Sequence, residues 1–589
     1  MYDKLINNKI FLWLILLSAI VIISAPLYIG SGPIYGDDTL FHLNRIEGIR
    51  QGLSNGEFPV KLYGYFFNDY GYPAGYFYPD LFLYIPALLG LATGGDTLFA
   101  YHSFLFLINI LTAVISLISF NKLFREIKIE GEIPYYVYGF TATVLYLGAW
   151  YRLLNVYVRV ALGEAIAMSF LPLALISFYL MLKGSKKAWI GVVIGATGIL
   201  ESHILSSLLL FAAYILMSVI FFRKFFDSEV LKSILKASIF TVMLNVWFYA
   251  PFLSMYDSMD FFMKSDLNQL KILDWNGLYA YQFTIGFVSI PALLFYLICC
   301  TVKKRILKSD KIFVICLILV VAMISTVSPL SIWKLADCIP FLSEKLSVFQ
   351  FAYRISSYTA ILATIALTIV VCKKKKFLIT SLIIVFANIF SLMYIPMYTD
   401  LYMLVIRKDK TVIADVCFPL KGSTLGDTPL SSLDIMHNPN WSIYKDYLYD
   451  DLEAKEYMES LDFIGVEYWE AVKMKKILNL DPYDITPKES VTNFSRNGLH
   501  LSFTTNPTEP TDIKLPLWYY PHSYGATCDG KELPVFEVYH HRLAITAPKG
   551  EHNIQIFPKL HTPHKNACIL SFLSLIVFIA ICVSTLKER

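Results

Sequence analysis

The sequence predicts a polytopic α-helical membrane protein of about twelve spanning helices, carrying an extracytoplasmic mixed α/β region that ends in a small β-sandwich. Three observations carry that prediction. Hydrophobic residues make up 56% of the 589, and the mean hydropathy is +0.55. Apolar runs near the length that crosses a bilayer recur along the chain. Between about 398 and 566 the sequence turns polar, Pro-punctuated and alternating, which is strand patterning.

The apolar runs fall at roughly 10–30, 98–120, 133–150, 162–182, 188–201, 204–222, 235–253, 279–301, 312–333, 354–372, 376–397 and 567–586. The first is too long for a signal-peptide core and lacks a convincing small-residue cleavage site, so it is expected to remain as an anchor. Cytoplasmic loops carry an excess of Lys and Arg. Three loops are strongly basic: Lys183 with Lys186 and Lys187, Lys303 to Arg305 with Lys308 and Lys311, and Lys373 to Lys376. Counting from a cytoplasmic N-terminus puts all three inside, together with Arg223, Lys224 and the final Lys587 to Arg589. Both termini are then cytoplasmic, whereas the first loop, 31–97, and the segment 398–566 lie outside. The expected units are a transmembrane module over 1–397, an outer domain over 398–566 with its sandwich at about 490–560, and a last helix with a cytoplasmic tail over 567–589.

Within the first outer loop, the stretch from Leu81 to Leu91 is too short to cross and contains Pro86, so it reads as an interfacial helix. Its lead-in from Tyr63 to Tyr78 is rich in Tyr, Phe, Gly and Pro, which predicts an aromatic surface at headgroup depth: either an ordinary belt or the wall of a lipid groove. In the outer domain, Asp450 to Leu461 has helical spacing, while Leu499 to Phe503 and Asn553 to Phe557 alternate as strands. Asp529-Gly530 and Lys549-Gly550 read as hairpin turns.

Charge and cysteine usage exclude other classes. The net charge of +4 is concentrated in short loops rather than over a nucleic-acid-binding face. The nine cysteines lie mostly in apolar spans, with no CxxC pair and no His/Cys metal spacing, so neither a disulfide framework nor a zinc site is expected.

Four clusters could carry chemistry, and the topology places all of them at the outer face. The first follows the first span: Gly36-Asp37-Asp38, then His42 and Arg45. On a helix, Asp38, His42 and Arg45 stand at i, i+4 and i+7 and share one face. Asp37 is the expected N-cap and Asp38 the expected base, although a capped interfacial helix with solvated charges has the same pattern. The second is Arg159 with Glu164, where a carboxylate opening an apolar run needs a partner. The third is Glu201-Ser-His203, at the junction of two apolar runs. The fourth is Arg354, a guanidinium at a helix mouth suited to a phosphate headgroup, or to a plain interfacial anchor.

The run Gly36 to Arg45, the stretch Gly71 to Pro79, Arg159 to Glu164 followed by Phe170-Leu-Pro172, and Glu201-Ser-His203 resemble a bacterial membrane-protein family labelled 6-pyruvoyl-tetrahydropterin-synthase-related, similar to YfhO-type proteins. That family belongs to the GT-C glycosyltransferases. The terminal Tyr519-Tyr-Pro521, Asp529 to Lys531 and Pro548 to His552 resemble its outer β-domain, so the likeness runs nearly the length of the chain. It implies a GT-C-like fold in a bacterial plasma membrane, a polyprenyl-phosphate-linked sugar as donor, and transfer of the sugar to a cell-envelope glycan acceptor. It also implies a first-loop carboxylate at the reaction centre, which maps to Asp37 or Asp38. Arg159 and Arg354, with His42, His203 or Arg45, are then expected to neutralise the leaving phosphate, and Glu201 to touch the substrate. Glu164 is expected to orient an Arg or to hold a metal. Asp37, Asp38 and Glu164 offer hard oxygen ligands for Mg²⁺ or Mn²⁺, and the same residues suffice without an ion. One direct displacement should invert the anomeric centre. The chain departs from the pattern at Asp80, where a neutral residue is expected, and in Tyr520 to Tyr524, which lacks a Trp. A flippase for a lipid-linked glycan or a non-catalytic envelope scaffold would share many of these features.

Overall fold

The computed structural model describes residues 8–29, 38–64, 69–127, 133–259, 351–372, 380–390 and 481–587. The expected spans at 279–301 and 312–333 and the helix from Asp450 to Leu461 lie outside the described residues. The protein is mostly helical, with a β region towards its C-terminal end. Among the described residues, five helices are long and apolar enough to cross a membrane: Thr97–Ile127, Leu162–Leu182, Ser228–Ser258, Ala352–Ile369 and Thr562–Thr585.

In chain order, α1 is Lys9–Ser24, capped by the Asn8 side chain accepting from the Ile10 N–H at 3.0 Å. Next come α2 (Thr39–Ser54), α3 (Tyr84–Ala92), α4 (Thr97–Ile127), α5 (Tyr135–Leu147) and α6 (Trp150–Tyr157). They are followed by α7 (Leu162–Leu182), α8 (Ala188–Leu200), α9 (Ile204–Ile220), α10 (Ser228–Ser258), α11 (Ser356–Cys372), α12 (Thr380–Phe390) and α13 (Thr562–Lys587). The run expected at 133–150 holds α5 and ends at the first residue of α6. It breaks at Gly148 and Ala149, and α6 then carries the fully buried Arg152 and Asn155. Arg152 donates to the Leu147 carbonyl at 3.0 Å, to Asn109 Oδ1 at 2.6 Å and to Thr112 Oγ1 at 3.0 Å, tying α6 to α4.

α7 and α8 pack through small residues, as membrane helices do where backbones approach closely. Gly191, Gly195 and Gly198 line one side of α8, and a Cβ on each would stand 2.1 Å from Ser177 Oγ, 2.5 Å from the Ala174 backbone N and 2.3 Å from the Phe170 ring. At Gly195 the obstacle is main chain and cannot turn aside. Gly195→Ala is therefore expected to cost about 1–3 kcal/mol by overpacking, read as a lower melting temperature in detergent, with a smaller loss for Gly191→Ala because Ser177 can change rotamer.

The sandwich has eight strands: β1 (Val491–Asn497), β2 (His500–Thr505), β3 (Thr511–Trp518), β4 (Tyr524–Cys528), β5 (Lys531–Leu533), β6 (Val535–Val538), β7 (Arg542–Ala547) and β8 (His552–Pro558). One sheet runs β1-β2-β8-β4-β5, the other β3-β7-β6. Leu501, Phe503, Ile554 and Ile556 from the first sheet and Ile513, Leu515, Leu543 and Ile545 from the second are buried, as expected of two inward faces. Asp529-Gly530 does close a hairpin, with Cys528 opposite Lys531. Lys549-Gly550 does not: it carries the chain from β7 in one sheet to β8 in the other, and Gly550, at φ +104°, donates its N–H to the Pro507 carbonyl at 3.0 Å.

The aromatic stretch also differs from its reading as a headgroup-depth surface. Tyr63, Tyr70, Tyr72 and Tyr76 are at most 2% exposed. The C-terminal β region meets two of them: Tyr70 packs edge-on to Trp518 at 5.6 Å and donates to the Asp481 carbonyl at 3.0 Å, and Tyr76 Oη meets Ser523 Oγ at 3.0 Å. Arg496 reaches the Asp69 carbonyl, and His500 meets Glu57 at 3.0 Å. The first loop is thus the seat of the β-domain, and the two lie on one side of the molecule. Outside that seat, Leu81, Ile85, Leu88 and Leu91 form an exposed apolar stripe along α3 and the turn before it, as an interfacial helix requires.

Candidate functional site

α2 begins at Thr39, so its N-cap is Asp38 and not Asp37; Gly36 and Asp37 lie outside the described residues. The Asp38 carbonyl accepts from the His42 N–H at 3.0 Å, its own N–H donates to the Arg159 carbonyl at 3.0 Å, and its carboxylate makes no capping hydrogen bond. That carboxylate is near enough to act electrostatically on Tyr78 and Arg159.

His42 and Arg45 face inward, as their spacing requires, but both are engaged by the fold. His42 Nε2 lies 3.2 Å from the Leu162 N–H and accepts from it, pinning the start of α7. Burial, with the Arg45 guanidinium beside it, holds His42 well below the usual imidazole range. The acceptor role of Nε2 towards the Leu162 N–H goes with an imidazole whose Nε2 carries no proton. Arg45 donates to the carbonyls of Tyr78 at 3.2 Å and Pro79 at 2.8 Å and lies 4.3 Å above the Tyr78 ring. It staples α2 to the loop ahead of α3, so much of its donor capacity is spent on main chain.

The expected partnership of Arg159 and Glu164 is present, and Arg354 joins it. Glu164 Oε2 lies 3.1 Å from Arg159 and 3.6 Å from Arg354, while Oε1 accepts from Tyr151 Oη at 2.7 Å. Arg159 also donates to Asn155 Oδ1 at 2.7 Å, and Arg354 Nη1 stands 3.1 Å from His203 Nε2. His203 is the N-cap of α9, its Nδ1 accepting from the Ser206 N–H at 3.2 Å. Glu164, Arg159, His203 and Arg354 are each at most 7% exposed. Two guanidiniums thus share one carboxylate in a region closed to bulk water. The turn that delivers Arg159 is strained: Val160, a β-branched residue, sits at φ +54°.

Glu201 does not join that group. Its Oε1 accepts from Trp247 Nε1 at 2.9 Å, and the charges acting on it are those of Lys61 and Asp80. The Glu201-Ser-His203 step therefore splits, sending its two ionisable groups to different neighbours. Gly163 shows how tightly the stretches meet. A Cβ there would lie 2.4 Å from Tyr78 Oη and 2.7 Å from the Ser202 carbonyl. Gly163→Ala is expected to push out the Tyr78 ring on which Arg45 rests, lowering stability by about 1–3 kcal/mol; a melting curve matching the parent protein would show that the contact is slack.

Sequence reasoning did not find Lys61, Asp80, Tyr78, Tyr151 or Asn155. Asp80 alone carried a signal, as a carboxylate out of place in its motif. Burial raises the Asp80 carboxyl, with Lys61 and Arg45 opposing the rise. For a divalent ion the described residues are a poor fit, because Glu164 is already held by a phenol and two guanidiniums, whose charge repels a cation. A separate Cys528, Asp529 and His552 group lies in the sandwich.

Residues 6–268 match a family described as one of unknown function (DUF6541), a match that takes in less than half of the chain. It includes the first loop, Arg159, Glu164, Glu201 and His203, and stops short of Arg354 and the sandwich. No curated protein matches the chain.

Proposed function

We propose that the protein is a GT-C-type glycosyltransferase of a bacterial plasma membrane, with about twelve spans, which moves a sugar from a polyprenyl-phosphate donor to an outer-face envelope glycan. The observation that supports this most is the Glu164 carboxylate shared by Arg159 and Arg354. Two guanidiniums converging on one buried carboxylate are the kind of positioned cationic donors that a leaving phosphate monoester calls for. The resemblance of the first-loop motif, and the seating of the β-domain over that loop, agree with a lipid-borne donor and a polymeric acceptor.

In this reading Asp38 takes the proton of an acceptor hydroxyl. The freed oxygen attacks the anomeric carbon, the bond from that carbon to the phosphate oxygen breaks, and polyprenyl phosphate leaves with its electron pair, inverting the centre. Arg354 and Arg159 receive the developing charge. Glu164 holds the two in place, with Tyr151 fixing its other oxygen. His42 and Arg45 position the helix that bears Asp38.

The test is sugar transfer in proteoliposomes from labelled polyprenyl-phosphate sugars. Transfer to a glycan acceptor, reduced by about 2–4 kcal/mol of barrier in Arg354→Ala, is expected. Movement of intact labelled lipid between leaflets with no transfer would replace the enzyme by a flippase. Because the cluster suits an anion better than a divalent ion, activity is expected to persist in excess chelator; its loss and recovery on adding Mg²⁺ or Mn²⁺ would assign Asp37 and Asp38 to a metal instead.

A further inference from the structure

Where β4 turns into β5, the sandwich gathers three donor side chains that sugar transfer does not use. Cys528 ends β4, Asp529 opens the turn, and His552 begins β8, which pairs with β4. One ligand atom from each, a thiol sulfur, a carboxylate oxygen and an imidazole nitrogen, lies within 4.8 Å of the other two. Cys528 is a free thiol on a strand, whereas the other free cysteines among the described residues lie on helices. Spacing along the chain does not reveal the group, because Asp529 and His552 stand 23 residues apart and only the pairing of β4 with β8 joins them. The main chain fixes the turn: Asp529, at φ +50°, donates its N–H to the Asn553 carbonyl at 2.9 Å. The nitrogen and oxygen donors are also aimed. His552 Nδ1 faces Asp529 Oδ2 at 2.7 Å, while Nε2 lies 3.1 Å from the Lys549 carbonyl, to which it can only donate. Asp529 Oδ1 accepts from the Asn553 N–H at 2.9 Å. An imidazole whose second nitrogen donates to a main-chain carbonyl, and a carboxylate held by a hydrogen bond of its own, are the supports that metal-ligating side chains use. With Nε2 carrying its proton, Nδ1 and Oδ2 turn lone pairs towards each other, and what lies between them has to be positive: a proton or a metal ion.

The donor types restrict the ion. Mg²⁺ and Ca²⁺ take oxygen ligands, whereas a thiolate with an imidazole and a carboxylate suits Zn²⁺. In a tetrahedral zinc site, bonds of about 2.0–2.3 Å put the nitrogen and oxygen donors about 3.3 Å apart and the sulfur about 3.6 Å from each. Nδ1 and Oδ2 would part slightly and Sγ would close in, shifts on the order of an ångström that side-chain rotation supplies. We propose that Cys528, Asp529 and His552 form a three-ligand site for Zn²⁺ or a cation of like softness, with water in the fourth position, which clips the β4–β5 turn to the start of β8. Binding releases the thiol proton and the proton between Asp529 and His552 to solvent. The site uses no residue of the Arg159, Glu164 and Arg354 cluster, so it holds whether or not the protein transfers sugar. A plain surface ion pair beside an idle thiol is the rival arrangement.

The experiment titrates the full chain, purified in detergent without a histidine tag and kept reduced, with Co²⁺ as a spectroscopic substitute for Zn²⁺. One equivalent is expected to bind with a thiolate-to-cobalt charge-transfer band; Zn²⁺ should displace it and excess Mg²⁺ should not. Cys528→Ser should abolish the band, and Cys528→Ser, Asp529→Asn and His552→Gln should each weaken Zn²⁺ binding by about tenfold or more. Asparagine keeps an oxygen for the Asn553 N–H and tolerates the Asp529 φ, and an exposed ion pair adds little stability, so the metal-free melting temperature of each variant should match the parent's. If one variant proves misfolded, the other two decide. Saturating Zn²⁺ should raise the melting temperature of the parent and not of His552→Gln, since an ion that binds only the folded state stabilises it. Absence of the band, or Zn²⁺ bound as tightly by Cys528→Ser or by His552→Gln as by the parent, overturns the three-ligand site and leaves the ion pair.

Discussion

Replacing Glu164 by alanine is expected to cost about 3–5 kcal/mol of stability, the loss that follows when one partner is removed from a buried ion pair. The magnitude comes from what remains. Arg159 and Arg354 would face each other in a region at most 7% exposed, with no carboxylate between them, and Tyr151 would lose its acceptor. The measurement is the unfolding midpoint of the purified protein in detergent. A double variant gives the sharper reading: Arg159→Met in the Glu164→Ala background should recover part of the loss, because groups in contact do not behave additively. If the single variant unfolds like the parent, or if the two losses simply add, the carboxylate is not what holds the guanidiniums. Glu164→Gln should fall between, since it keeps the hydrogen-bond acceptor for Tyr151 and removes only the charge.

The sequence showed the parts of this arrangement that local chemistry determines. A carboxylate at the mouth of an apolar helix is costly alone, so Glu164 announced its need for a partner, and Arg159, five residues away, was within reach of a single turn. Nothing local connects either to Arg354, which reaches Glu164 only through the packing of α11. α7 was legible to within its ends because hydropathy reports the run that lipid or neighbouring helices must cover. The same measure stopped at the start of α6, because it counts apolar residues and does not see that Arg152 and Asn155 can be buried when Asn109, Thr112 and a main-chain carbonyl receive the guanidinium. The tyrosines between Tyr63 and Tyr78 were misplaced for a related reason. An aromatic belt and a tyrosine-rich interface have the same composition, and only the sandwich, more than 400 residues away in sequence for the Tyr70 and Tyr76 contacts, decides between them. Lys549-Gly550 has the composition of a hairpin turn, but turn chemistry does not specify which sheet the next strand joins.

Asp38→Asn is expected to lower sugar transfer by about 10²–10⁴, the usual contribution of a positioned general base, while leaving the fold intact. The separation of the two effects follows from the start of α2. The Asp38 main chain holds the helix to the Arg159 turn through its N–H and receives the His42 N–H at its carbonyl, both of which asparagine retains. Its carboxylate makes no capping hydrogen bond, so the charge can be removed without uncapping the helix. The amide side chain of the variant would still accept and donate hydrogen bonds, and what it loses is basicity. Donor binding should therefore persist while turnover falls, a split between KM and kcat that a structural lesion would not produce. Asp37→Asn, measured beside it, assigns the base between two adjacent carboxylates: a comparable fall there, with Asp38→Asn active, would move the role by one residue. Full activity in both would leave proton removal to another group and withdraw the first loop from the reaction centre.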